Sequence, residues 1–207
     1  MPLMKAYELF EKQVNVGVWE ITENLSELHA HVKLSHRDRE RLLMKKKEKH
    51  QKAFVAARVL LQRMGIDLVE LDYEHQNIPI LKNGQNISIS HTNDYVVIAL
   101  SLACQIGIDI EMYHSRIIKL AYKFLHSEEK ISTHSLDSIK HLTRIWTAKE
   151  AMFKAIKKNG VSFKNQMAIQ YKNRLGTGKY FFDEQQILFD ICFKEMKDHT
   201  LCVCKRA

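Results

Sequence analysis

Gly107-Ile108-Asp109-Ile110-Glu111 is a short apolar run that carries two carboxylates two residues apart. In a strand, side chains alternate between faces, so Asp109 and Glu111 point one way while Ile108 and Ile110 point the other, into a core. Two neighbouring carboxylates on one face repel each other unless a cation or a proton lies between them. The run is therefore either an edge strand with a solvated acidic face or part of a site. Residues further along the chain weigh on that choice.

Downstream, residues 117–124 repeat apolar positions at helical spacing behind Ser115, an expected N-cap. Ser127 is a second expected cap, opening a new segment after Phe124-Leu125-His126. A polar stretch runs to His134, and a helix is expected from about Ser135 into Lys158. Within it, Trp146, Glu150 and Phe153 lie at i, i+4 and i+7, which places an acid on the same face as two large aromatics. An acid facing a core is costly unless it is paired or binds metal. Lys154, one turn further on, offers a purely structural partner for Glu150. Lys158-Asn159-Gly160 reads as a stop. Residues 167–171, 188–195 and 200–204 read as antiparallel strands, the last two joined by a tight turn at Lys197-Asp198.

Upstream, residues 6–22 alternate, with 16–21 the best strand candidate. Ser35, with Asp38 three residues later, opens a helical pattern that runs with a break to Met64. Arg37, Arg39, Arg41, Lys45, Lys46, Lys47, Lys49 and Lys52 make it densely basic, as a solvated helix face or an anion-binding surface would be. Its apolar phase sharpens over residues 54–61. Residues 68–73 read as a strand, and Asn83-Gly84 as a turn. Residues 87–92 and 95–102 read as a strand pair. Ser90 and His91 sit where that pair turns, as turn formers or as groups that could meet a phosphate. Phe54-x-Ala56-x-Arg58-x-Leu60-Leu61 can be laid over Trp146-x-Ala148-x-Glu150-x-Met152-Phe153. That overlay predicts an α+β fold of two similar subdomains, 1–104 and 105–207. Each would be a small antiparallel sheet packed with a long helix, the two pseudo-twofold related with a ligand cleft between them.

The chain has 207 residues, 45% of them hydrophobic, with 2 prolines and 7 glycines, which suits a globular core. No apolar run approaches the about 20 residues of a membrane span, and the early charges in Met-Pro-Leu-Met-Lys-Ala-Tyr-Glu do not fit a secretory signal. A cytoplasmic location is expected. The net charge of +8 points to an anionic partner. The 4 cysteines lack zinc-site spacing and read as reduced, packed thiols.

Taken in order, Ile89-Ser90-His91, Gly107-Ile108-Asp109-Ile110-Glu111 and Trp146-Thr147-Ala148-Lys149-Glu150-Ala151-Met152-Phe153-Lys154 resemble the signature motifs of the 4′-phosphopantetheinyl transferase superfamily. Size and the paired outline resemble its monomeric, surfactin-synthetase-activating type. The resemblance implies transfer of the 4′-phosphopantetheine arm of coenzyme A to a serine of an apo acyl or peptidyl carrier protein, with release of adenosine 3′,5′-bisphosphate. It implies that Asp109, Glu111 and Glu150 hold Mg²⁺ and that Lys154 grips the pyrophosphate. Ser90 and His91 would contact the nucleotide end of coenzyme A, and Glu129 would deprotonate the acceptor serine. Mg²⁺ takes oxygen ligands and neutralises phosphate charge, which suits these residue types. Arg41, Lys49 or Lys52 could join His91 at the 3′-phosphate. Members usually carry Gly-Lys-Pro before the serine-histidine motif. Here Asn77-Ile78-Pro79 stands in its place, with Lys82 a possible substitute base. The basic surface would steer an acidic carrier protein, and a monomer is expected. Aromatic residues are not interleaved with the basic run, which argues against nucleic acid. A non-catalytic protein binding coenzyme A or nucleic acid is the alternative.

Overall fold

A computed structural model describes residues 4–74, 77–129 and 136–207. The chain divides into two compact units, Met1–Ala103 and Cys104–Ala207. The polar stretch expected to reach His134 and the helix start at Ser135 lie outside the described residues.

The first unit begins with a hairpin, β1 (Met4–Leu9) and β2 (Val14–Glu20). Three helices follow: α1 (Leu25–Ala30), α2 (His36–Leu43) and α3 (Glu48–Arg63). Ser35 caps α2 as expected, its side chain accepting from Asp38 N. The expected break falls at residues 44–47. Next come β3 (Leu71–Tyr73), β4 (Pro79–Leu81), β5 (Asn86–His91) and β6 (Tyr95–Ser101). The main sheet is antiparallel in the order β1-β2-β6-β5. Helix α3 buries residues 53–61, and its apolar side shares a core with Val96, Ile98 and Leu100 of β6. Only 71–73 of the strand expected over 68–73 is extended, because residues 68–70 turn (Leu71 N to Leu68 O, 3.3 Å).

The second unit holds β7 (Ile106–Met112), α4 (Arg116–Phe124), α5 (Leu136–Ile156), α6 (Phe163–Gln166), β8 (Met167–Lys172), β9 (Leu175–Phe182), β10 (Gln185–Met196) and β11 (His199–Arg206). Its antiparallel sheet runs β7-β11-β10-β9-β8, so β7 lies at an edge and is buried all the same. Helix α5 supplies Leu142, Ile145, Ala148, Ala151 and Met152 to the core under that sheet. The fold is α+β with antiparallel sheets in both units.

Two caps and one strand differ from expectation. Ser115 makes no cap hydrogen bond; the His114 Nδ1 accepts from Arg116 N at 3.0 Å instead. Ser127 starts no helix among the described residues, because the following turn is closed by Glu129 reaching back to His126 N. Strand β9 went unread. Its Leu-Gly-Thr-Gly-Lys opening has too few β-branched residues, and its pairing with β8 and β10 supplies what propensity lacks.

Candidate active site

The acidic strand is not solvated. Asp109 is 4% exposed, and Ile108 and Ile110 on the opposite face are buried too. What covers the acid face is α5, and Gly107 is the residue that admits it. A Cβ at 107 would meet the Ala151 and Ala155 backbone, so only glycine permits this approach. Cys202 and Cys204 pair with Asp109 and Gly107 across β11 and pack with the core beneath α5. Burial pushes the Cys204 thiol up to about 12, so these are packed thiols, as expected.

With α5 this close, Glu150 and Lys154 come within electrostatic reach of Asp109 and Glu111. Lys154 Nζ donates to Asp109 Oδ1 at 2.7 Å and to the Ile108 carbonyl at 3.1 Å. Trp146 Nε1 donates to Glu111 Oε1 at 3.1 Å. Glu150 has no hydrogen-bond or salt-bridge partner of its own among the described residues. Burial, then the charges of Asp109 and Glu111, push its carboxyl up to about 7 against the pull of Lys154. Glu111 is raised as well, by burial first and Asp109 second. Of the two readings of Glu150, the purely structural pair with Lys154 is not formed as a salt bridge: the lysine reaches across to Asp109 on the strand rather than back along its own helix.

Asp109, Glu111 and Glu150, with the last two raised by burial and acidic neighbours and a single ammonium opposing them, form an all-oxygen set whose chemistry fits a hard divalent cation. Among the described residues, no three His, Cys, Asp or Glu side chains already stand at metal-holding spacing, and Lys154 now sits on Asp109 Oδ1 where a cation would compete.

Glu129 does not join this cluster. Its side chain is 1% exposed and forms a 2.7 Å ion pair with the equally buried Lys149. Oε2 also accepts from His126 N and Oε1 from Ile169 N, both at 2.8 Å. Both Glu129 oxygens are thus occupied and its side chain is buried, apart from the acids of β7 and α5.

In the first unit, a cavity of about 490 Å³ is lined by Arg41, Lys45, His50, Arg58, Tyr73 and His91, among others. The Arg41 guanidinium lies 3.7 Å over the Tyr73 ring, and Arg58 lies 3.5 Å over Phe54. Arg58 is held by the buried Asp38 at 2.9 Å. Burial, then Arg58 and Arg41, lower the Lys45 pKa, the mark of cations crowded together. Of the residues expected at the nucleotide end, Arg41 and His91 line the cavity, while Lys49, Lys52 and Ser90 do not. On α3 the cavity takes His50, Ala53, Phe54 and Ala57, which share one helical face, and Lys49 and Lys52 fall outside it. Ser90 alternates with His91 and faces the other way. Lys45 and His50 were missed, although His50 stands at helical spacing from Ala53, Phe54 and Ala57 on the cavity wall. Lys82 donates to the Val69 carbonyl at 2.8 Å and does not line the cavity. Arg41 reaches the substituted motif directly, donating to Asn77 Oδ1 at 2.8 Å.

Among the described residues no helix is long and apolar enough to cross a membrane. A curated relative, the 4′-phosphopantetheinyl transferase HetI of Nostoc sp., is 32% identical over 123 aligned residues, covering 51% of this chain and 52% of that protein. The chain thus spans about half the length of the curated relative it matches. Residues 105–204 match the 4′-phosphopantetheinyl transferase superfamily, a match that encloses Asp109, Glu111, Glu129, Glu150 and Lys154 and makes the second unit similar to a domain of that superfamily.

Proposed function

We propose that the chain transfers the 4′-phosphopantetheine group of coenzyme A to a serine of an apo acyl or peptidyl carrier protein, releasing adenosine 3′,5′-bisphosphate. The observation that carries this reading is the Lys154–Asp109 contact between α5 and β7, with Glu111 and Glu150 in electrostatic reach of it, inside residues that match the superfamily.

Asp109, Glu111 and Glu150 would hold Mg²⁺, which when bound supplies neutralisation of pyrophosphate and leaving-group charge. Lys154 donates to a pyrophosphate oxygen once it leaves Asp109, a charge-assisted contact that places the phosphorus to be attacked. Taken by itself, the first unit's cavity would suit a phosphate group, with Arg41, Lys45 and His91 on its wall and the Tyr73 and Phe54 rings under arginines. Serine is a weak nucleophile and needs a carboxylate to accept its proton. Since Glu129 is closed in its ion pair, that task falls to the acid cluster. A subtype of the monomeric, surfactin-synthetase-activating kind fits the two-unit chain, and the +8 charge suits an acidic carrier protein.

The test is incubation with coenzyme A, Mg²⁺ and a panel of apo carrier proteins, read by mass spectrometry as a gain of one phosphopantetheine. Asp109→Ala and Glu150→Ala should abolish the gain while the fold persists. No gain with any carrier refutes the reading, and turnover in either variant refutes the acid assignment. A non-catalytic coenzyme A binder would bind through the cavity alone and leave the acid cluster without a role.

A further inference from the structure

Among the described residues of the second unit, Lys149 and Glu129 form the most deeply buried ion pair, with side chains 0% and 1% exposed. Lys149 Nζ donates to Glu129 Oε2 at 2.7 Å, to the Phe124 carbonyl at 2.6 Å and to the Phe163 carbonyl at 3.0 Å. An ammonium has three donors, so its capacity is used in full. Glu129 in turn accepts from His126 N and Ile169 N. One side chain of α5 is thereby tied to the end of α4, the start of α6, residues 126–129 and strand β8.

The tied residue is the immediate neighbour of Glu150. Successive helical residues point about 100° apart, so anchoring Lys149 on one side of α5 sets the rotation at which Glu150 faces Asp109 and Glu111. An apolar residue at 149 could slide along the aromatic shell formed by Phe124, Trp146 and Phe163. An ammonium with three fixed acceptors cannot. Buried ion pairs contribute little net stability compared with apolar packing, and their better-attested use is to specify one arrangement.

We propose that Glu129 and Lys149 are positioning residues, which set the rotation of α5 so that Glu150 and Lys154 meet the acids of β7, and that Glu129 takes no proton during transfer. The inference rests on the transferase reading for the use of the acid cluster, but not for the cluster itself.

The experiment uses the full chain carrying Glu129→Gln together with Lys149→Met, which removes both charges and keeps the volume. Mn²⁺ alone is titrated calorimetrically, and kcat and the Mg²⁺ dependence of transfer are measured in parallel. The variant should fold, bind Mn²⁺ about tenfold more weakly, the scale of losing a group that orients a ligand, and need about tenfold more Mg²⁺ for half-maximal rate. At saturating Mg²⁺, kcat should stay within about fivefold of the parent, with an unchanged pH profile, because no catalytic base has been removed. A loss of kcat beyond about a hundredfold at saturating metal, with the acidic limb of the profile gone, would establish Glu129 as the base and overturn the proposal. Unchanged Mn²⁺ affinity in the folded variant would also overturn it, leaving the pair only structural. Glu129→Asp, which keeps the charge and shortens the tether, is the second variant. It should weaken Mn²⁺ by about threefold, and native affinity there refutes the proposal even if the double variant fails to fold. A parent protein that binds Mn²⁺ in a pair-dependent way yet transfers nothing keeps this inference and sinks the transferase reading.

Discussion

Gly107→Ala separates β7 from α5 and so tests the scaffold and the site together. A Cβ at 107 would stand 2.7 Å from the Ala151 carbonyl carbon and 3.1 Å from the Ala155 nitrogen, and closer still to the Ala151 oxygen. Carbon–carbon contacts relax at about 3.5–4.0 Å, so strand and helix must part by about 1 Å. No rotamer change makes room, because the obstructing atoms are backbone on a helix whose Ala148, Ala151 and Ala155 are at most 1% exposed. Overpacking of this kind costs about 1–3 kcal/mol, with a backbone obstruction at the top of that range. In a unit of about this size each kcal/mol lowers Tm by about 4–8 °C, so the variant should melt about 10–20 °C lower. The same movement opens the 2.7 Å contact between Lys154 and Asp109. A misplacement of about 1 Å can cost on the order of a hundredfold in rate. Thermal melts followed by circular dichroism, and transfer assayed at a temperature where the variant is folded, check both effects. A variant with parental Tm and parental rate refutes the claim that glycine is needed at this approach.

Glu150→Gln tests the electrostatics of the acid cluster. With its carboxyl pushed from 4.5 to about 7 in the folded protein, the native state holds a proton that the unfolded chain has lost. Stability therefore falls as pH rises from 4.5 through 7, and the cost is fully present above that. Urea titrations should find the variant more stable than the parent by about 1–2 kcal/mol at pH 8, after allowance for solvent screening, and no gain at pH 4. A pH-independent difference refutes this. Mg²⁺ should raise the parent's Tm at pH 8 and leave the variant's nearly unchanged, since an ion that binds only the folded state stabilises it. Arg41→Ala should raise KM for coenzyme A at least about tenfold with kcat nearly unchanged, the loss of one charge-assisted contact; a fall in kcat alone would place Arg41 elsewhere. Arg58→Met leaves Asp38 buried without its 2.9 Å partner and should cost about 3–5 kcal/mol, most of it recovered by adding Asp38→Asn. Failure of the second substitution to restore Tm would show that the pair is not the cause.

Much of this protein is legible along the chain because it is local. Period-two alternation in Gly107-Ile108-Asp109-Ile110-Glu111 puts its acids on one face, helical spacing puts Trp146, Glu150 and Phe153 on another, and Ser35 caps where it should. Those periodicities are properties of backbone geometry and need no partner. The order of the three motifs further pointed to the superfamily that residues 105–204 match. Partner choice was not local. Lys154 sits one turn from Glu150 and pairs with Asp109 instead, 45 residues away in sequence. Glu129 reads as an available carboxylate until Lys149 and two backbone amides close around it. The basic run reads as one surface, yet Arg41, Lys45 and His50 line the cavity while Lys49 and Lys52, on another face of α3, do not. The sequence by itself determined which residues can be acids, bases and cations on which faces. Only the tertiary structure decided which of them meet, because charge pairing depends on distances that long-range packing sets, here the approach of α5 to a glycine on β7.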